Sequence, residues 1–154
     1  MTYEKKLIAL TLILCLTLLS GVSVYALYLD ESEYDKIAWT WEEYAPYDFD
    51  YNCLAYAIGD TDTWHWPSDN ETCTLNEARV YLASYGYDYS YSASNPTILY
   101  YGQSTDLIDH FAKKVGTSTS RAKWGMLEVM TSYSLDPYYD NEDSYYDKLP
   151  GGFY

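Results

Sequence analysis

The sequence predicts a mixed fold, helical in its first half and strand-forming in its second, and three stretches carry that prediction. In Tyr51-Asn52-Cys53-Leu54-Ala55-Tyr56-Ala57-Ile58-Gly59, the apolar run from Cys53 forms two helical turns with Gly59 as a stop. Thr74-Leu75-Asn76-Glu77 is a capping box, and Leu75, Ala78, Val80, Tyr81 and Leu82 give the helix behind it an apolar side. From Tyr87 the period changes. Tyr87 to Tyr91 alternates, and Thr97-Ile98-Leu99-Tyr100-Tyr101 is β-branched and aromatic between Asn95-Pro96 and Gly102.

Taken in order, the chain begins as a targeting segment. Lys5-Lys6 precede an apolar run from Leu7 to Leu19, then Ser20-Gly21, and Val24-Tyr25-Ala26 sets small residues where a signal peptidase reads. Residues 1–26 are expected to be a signal peptide and the protein to be secreted or at the cell surface. The alternative is an uncleaved anchor, because the apolar stretch from Leu7 to Leu29 nearly spans a bilayer. Residues 27–45 form an acidic aromatic leader with a short helix or turn near Ile37–Tyr44, and residues 46–154 are the domain, with a tail rich in Tyr and Asp. Leu107 to Val115 fits both a helix with one apolar face and a strand buried on both faces, and its local sequence favours the helix.

Composition narrows the function classes. The 154 residues carry a formal net charge of −14, from 23 acidic against 9 basic side chains. Such a balance repels phosphate backbones and anionic membrane surfaces, which excludes a nucleic-acid role. The 21 tyrosines suit exposed strands and walls that bind sugars or peptides. Asp140-Asn141-Glu142-Asp143 lacks EF-hand spacing and reads as a solvated acidic loop. Cys53, His65, Cys73 and His110 lack the short spacings of structural zinc sites, so neither a metal nor a cofactor is expected.

Cys53 is the candidate nucleophile. A thiol at a helix N-terminus faces unpaired N–H groups and the positive end of the helix dipole, and both favour the thiolate. A nucleophilic Cys needs a base brought to it from a separate element, which here means His110 or His65. Trp64-His65-Trp66 could line a cleft beside it. Cys53 could instead be a small core residue or form a disulfide with Cys73, which would bar it from attacking anything.

The order Tyr51-Asn52-Cys53-x-x-Tyr56-Ala57, Trp64-x-Trp66-Pro67, His110 in an apolar segment and Lys123-Trp124-Gly125 resembles secreted bacterial papain-like domains. These are similar to the NlpC/P60 and CHAP cysteine peptidases and amidases. The resemblance covers roughly residues 50–140. It implies an α+β fold, with Cys53 on the N-terminus of a packed helix and His110 on a small antiparallel sheet, and so makes residues 107–115 a strand. It also implies Cys53 as nucleophile and His110 as general base. The cleft beside them is expected to be lined by Asn52, Tyr56, Trp64, His65, Trp66, Lys123 and Trp124.

The chain departs from the family pattern at several points. The Gly-Asp before the His is replaced by Ile98-Leu99-Tyr100-Tyr101, Phe111 follows His110 where a small residue is usual, and Ala122 stands for the Ser before Lys-Trp-Gly. Thr131 and Ser132 occupy the place of a late His, leaving Ser132, Glu128 or Asp136 as third member. The expected function is that of a secreted, monomeric thiol hydrolase cutting an amide bond in peptidoglycan stem peptides or another extracellular peptide. The alternatives are a non-catalytic surface-binding module on the same fold and a domain stapled by a Cys53–Cys73 bridge.

Overall fold

The computed structural model describes residues 26–90, 96–139 and 148–153. The signal-peptide reading of residues 1–26, apart from Ala26 itself, and the acidic run at 140–143 therefore lie outside the described residues. So does Tyr91, the last residue of the first alternating stretch.

The elements are α1 (Glu31–Ile37), β1 (Glu42–Ala45), α2 (Cys53–Ile58), α3 (Leu75–Ala83), β2 (Tyr89–Ser90), β3 (Ile98–Ser104), β4 (Leu107–Lys114), β5 (Ser120–Lys123), β6 (Val129–Ser132) and β7 (Lys148–Phe153). The strands form one antiparallel sheet of seven in the order β1-β6-β5-β4-β3-β7-β2. Among the described residues the fold is thus mixed, with three short helices and an antiparallel sheet. The leader differs from expectation: its helix ends at Ile37, and Glu42–Ala45 is a strand paired with β6.

The local signals act as their chemistry requires. Asn52 caps α2, its side chain accepting from Ala55 N–H at 3.0 Å, and Gly59 ends the helix at φ +87°, a conformation that costs a side-chain-bearing residue energy. The Thr74–Glu77 capping box is complete, with Glu77 N–H donating to Thr74 Oγ1 at 3.2 Å and Thr74 N–H to the Glu77 carboxylate at 2.7 Å. Val80, expected on the apolar side of α3, is exposed.

β4 overturns the local preference for a helix at residues 107–115. Its central residues Ile108, His110, Phe111 and Ala112 are all buried, because it is an interior strand covered on both faces. Such a run shows no clean alternation, and tertiary pairing with β3 decides its state.

Cross-strand register sorts the core into two layers. Tyr100 pairs with Phe111, and Leu99 pairs with Ala112, so the two pairs point to opposite faces. On one face Tyr100 and Phe111 join Ile98, Ile108 and Phe153 against Cys53, Leu54 and Ala57 of α2 and Ala78 and Leu82 of α3. On the other, Leu99, Tyr101 and Ala112 pack with Tyr34 of α1, Trp124, Met130 and Tyr138.

Candidate functional site

β4 carries an irregularity where it passes the start of α2. Tyr101 pairs with His110 but Gly102 pairs with Ile108, so Asp109 is an extra residue in the strand. Such a bulge bends a strand and re-aims the side chains at it. Asp109 and His110 thereby line, together with Asn52, Cys53, Trp64 and Trp66, a cavity of about 330 Å³. Gly102 permits the close approach, since a Cβ there would lie 2.1 Å from Leu107 O.

Cys53 is 5% exposed, and burial pushes its thiol up to about 11. Hydrogen bonds from the backbone N–H groups of Phe111, Leu54 and Cys53 itself work against that rise, while the Asp109 charge adds to it. The expectation of a thiolate at the helix start is therefore corrected: desolvation outweighs the N–H groups. Cys73 is buried at an isolated bridge to Ile108, and its thiol is also pushed up, to about 12, by burial and by Glu77. Both thiols are free, so the bridge between them is absent from this structure.

His110 is buried, and burial drives its imidazole down to about 3, so the ring is neutral throughout the physiological range. Its Nε2 lies 2.8 Å from the Tyr138 hydroxyl, and the Tyr101 and Tyr138 rings stand at 5.9 and 5.4 Å. Cys53 and His110 thus share one cavity, with the ring turned to Tyr138.

The other predicted residues separate into cavity wall and support. Asn52 does both: besides capping α2, its Nδ2 donates to His65 O at 2.8 Å and ties the Trp64–Trp66 loop to the helix start. Trp64 is half exposed, its indole N–H donating to Phe49 O at 2.9 Å. Trp66 stands edge-on to Phe111 at 5.6 Å, and its buried indole N–H has no hydrogen-bond partner among the described residues.

His65, expected in the cleft, is instead held away from it. Its Nε2 lies 2.7 Å from the Asp60 carboxylate and its Nδ1 lies 2.7 Å from Tyr81 Oη and 3.0 Å from Tyr85 Oη. Tyr56 is half-buried and stacks on Tyr51 at 6.5 Å. Trp124 lies in the second core layer against Tyr34 and Tyr138.

Lys123 is fully buried. Its ammonium donates to Asp48 O at 2.7 Å, to Gly125 O at 3.0 Å and to Leu127 O. Burial lowers it to about 8, against the opposing pull of Asp48, Glu128 and a Cys53 charge. It pins the loop that precedes Tyr51 to the turn after β5.

Of the proposed third members, Glu128 accepts from Tyr28 N–H at 2.6 Å and from Tyr34 Oη at 2.5 Å, Ser132 is buried in β6, and Asp136 is exposed. The group that meets His110 Nε2 is Tyr138, which the sequence reading passed over as one tyrosine among many. Asp109 and Glu71, which also line the cavity, were likewise missed, and only the Asp-His adjacency could have pointed to the former. Among the described residues no group of three or more His, Cys, Asp or Glu side chains is placed to hold a metal ion. No described helix is long and apolar enough to cross a membrane.

A family model described as Domain of unknown function (DUF7689) matches residues 42–149, and the chain belongs to that family. The match runs from β1 into β7 and contains every described residue that lines the cavity. Neither the curated proteins nor the solved structures offer a match to the chain.

Proposed function

We propose that this chain is a papain-like thiol hydrolase that cleaves an amide bond in an extracellular peptide, with peptidoglycan stem peptides as one substrate class. The observation that carries the reading is that Cys53, at the start of a helix packed on β4, and His110, on β4, line the same cavity. A carbonyl entering that cavity meets the Cys53 sulfur and the backbone N–H groups of Cys53 and Leu54, which already point at the sulfur.

The resting pair is a neutral thiol and a neutral imidazole. Attack therefore requires the Cys53 proton to pass to His110 as the S–C bond forms. The C–N bond then breaks, the amine leaves with that proton, and water hydrolyses the thioester with His110 as base. The oxyanion formed at the carbonyl accepts from the N–H groups, worth roughly 3 kcal/mol per donor in such sites. Lys123, close enough to feel a charge at Cys53, favours the sulfur anion. In this reading residues 1–26 direct export and are removed, and the protein acts as a monomer outside the cytoplasmic membrane.

The test is release of amine from peptide amides and from purified wall fragments by the wild-type chain and by Cys53→Ala. Loss of release in the variant, with its fold unchanged, supports the hydrolase. Equal release, or none from either, refutes it. A second reading has a specific observation in its favour. A thiol pushed up to about 11 and an imidazole engaged by Tyr138 also suit a non-catalytic module that binds its ligand in the same cavity. Ligand binding by wild type and Cys53→Ala alike, without turnover, is its signature.

A further inference from the structure

His65 stands between the two indoles that line the cavity and is bonded through its backbone and through both ring nitrogens. Asn52 Nδ2 donates to its carbonyl at 2.8 Å, fixing the loop to the start of α2 beside Cys53. Its Nε2 lies 2.7 Å from the Asp60 carboxylate, and Asp60 N–H donates to Ala55 O at 3.0 Å, so the ring is fixed to the other end of α2. Its Nδ1 lies 2.7 Å from Tyr81 Oη in α3 and 3.0 Å from Tyr85 Oη in the turn that follows. A carboxylate only accepts, so Nε2 carries a proton and donates to Asp60. In the neutral ring Nδ1 is then an acceptor with a single lone pair, which a phenol fills. The Tyr81 hydroxyl keeps its proton for that bond, since burial, and then its contact with Tyr85, push it up. Asp60 keeps its charge, its carboxyl held below the usual range by Asp62 N–H and by His65. Both nitrogens are engaged, which leaves His65 no lone pair with which to take a proton from Cys53.

From this we infer that His65 is a positioning residue: through Asp60, Tyr81 and Tyr85 it holds Trp64 and Trp66 at the setting that admits a peptide to Cys53. The two indoles are not held equally. Trp64 has an anchor of its own in the bond from its N–H to Phe49 O at 2.9 Å. The Trp66 indole N–H has no hydrogen-bond partner among the described residues, and its ring rests edge-on against Phe111 at 5.6 Å. Trp66 therefore takes its place from the backbone at His65. A polar cluster with every member bonded fixes one geometry, and a cluster missing its central member does not. A phenyl ring at position 65 would fill much of the imidazole's space but leave the Asp60 carboxylate and the two phenols without their shared partner.

The inference deepens the hydrolase reading, since it takes the Cys53 cavity as the site of the peptide. Two measurements on the full chain test it, in wild type, His65→Phe, Asp60→Ala and the conservative Asp60→Asn, which keeps an acceptor for the Nε2 proton. The first compares alkylation of Cys53 by acetyl-Ala-Ala-Phe chloromethyl ketone, which must lie against the indoles, with alkylation by iodoacetamide, which needs only the sulfur. His65→Phe and Asp60→Ala should slow the peptide reagent about tenfold relative to iodoacetamide, and Asp60→Asn should restore most of the rate. The second follows the indole N–H signals in proton–nitrogen NMR spectra. In His65→Phe the Trp66 signal should shift more than that of Trp64, while Trp41 and Trp124, in the other core layer, keep theirs. A peptide reagent slowed no more than iodoacetamide overturns the inference, and so do indole signals that all move together or not at all. The two readings fail separately. If neither reagent labels Cys53 in the folded wild type, the hydrolase falls, and the indole signals alone decide whether His65 sets the wall. If the peptide reagent labels wild type and His65→Phe at one rate, the hydrolase stands and the positioning role falls.

Discussion

Replacing His110 by Gln should remove a specific part of the protein's sensitivity to acid. The imidazole sits well below its ordinary value of 6.5, at about 3, because burial disfavours the charged ring. Between those two values the unfolded chain binds a proton at this position and the folded chain does not. Stability is therefore complete above about pH 6.5 and is lost as the pH falls toward 3, at about 1.4 kcal/mol per pH unit. Between pH 7 and pH 4.5 the loss from this one group integrates to about 2–3 kcal/mol, a substantial part of a typical total of roughly 5–15 kcal/mol. Urea unfolding of wild type and His110→Gln at both pH values measures it. Other acid-sensitive groups, such as Asp60 and Glu77 with their lowered carboxyls, act in both proteins and cancel in the double difference. The wild type should lose about 2–3 kcal/mol more than the variant. The same loss in both would mean that His110 is solvated or already paired with a charge, and would remove the neutral base from the proposed mechanism.

Three further substitutions bear on the walls of the site. Tyr138→Phe removes the hydroxyl from His110 Nε2 and should cost about 1 kcal/mol in urea unfolding, and no loss would show that the contact contributes nothing. Lys123→Met leaves three backbone carbonyls without their donor and should cost about 2–4 kcal/mol, a change under about 0.5 kcal/mol being the refuting result. Gly102→Ala places a Cβ 2.1 Å from Leu107 O. The hairpin must shift, at about 2 kcal/mol or more in thermal or urea unfolding, and an unchanged midpoint would deny the tight approach at the bulge.

What could be read from the chain follows the range of each interaction. Asn52 as cap, Gly59 as stop and the Thr74–Glu77 box are satisfied by neighbours within a few residues, so their letters suffice. β4 was ambiguous because burial on both faces removes alternation, and only pairing with Tyr100 and Tyr101 settles it. The Asp109 bulge has no local signature, since it arises from a mismatch in register between two strands. Tyr138 was hidden for a different reason: among 21 tyrosines, nothing nearby marks the one whose hydroxyl reaches a histidine on another strand. The state of Cys53 was misjudged in sign. A helix start is visible in sequence, whereas the burial that outweighs it depends on the core that the fold packs around Cys53.

The measurement that bears most directly on the proposed role of Cys53 is labelling of the folded chain with a peptidyl chloromethyl ketone, mapped by mass spectrometry. If Cys53 is a nucleophile in an accessible cavity with His110 as its base, it is alkylated in the native protein while Cys73, buried outside the cavity, stays unmodified, and His110→Gln slows the reaction. If Cys53 reacts only after unfolding, at the same rate as Cys73, it is a core thiol and the cavity serves binding alone.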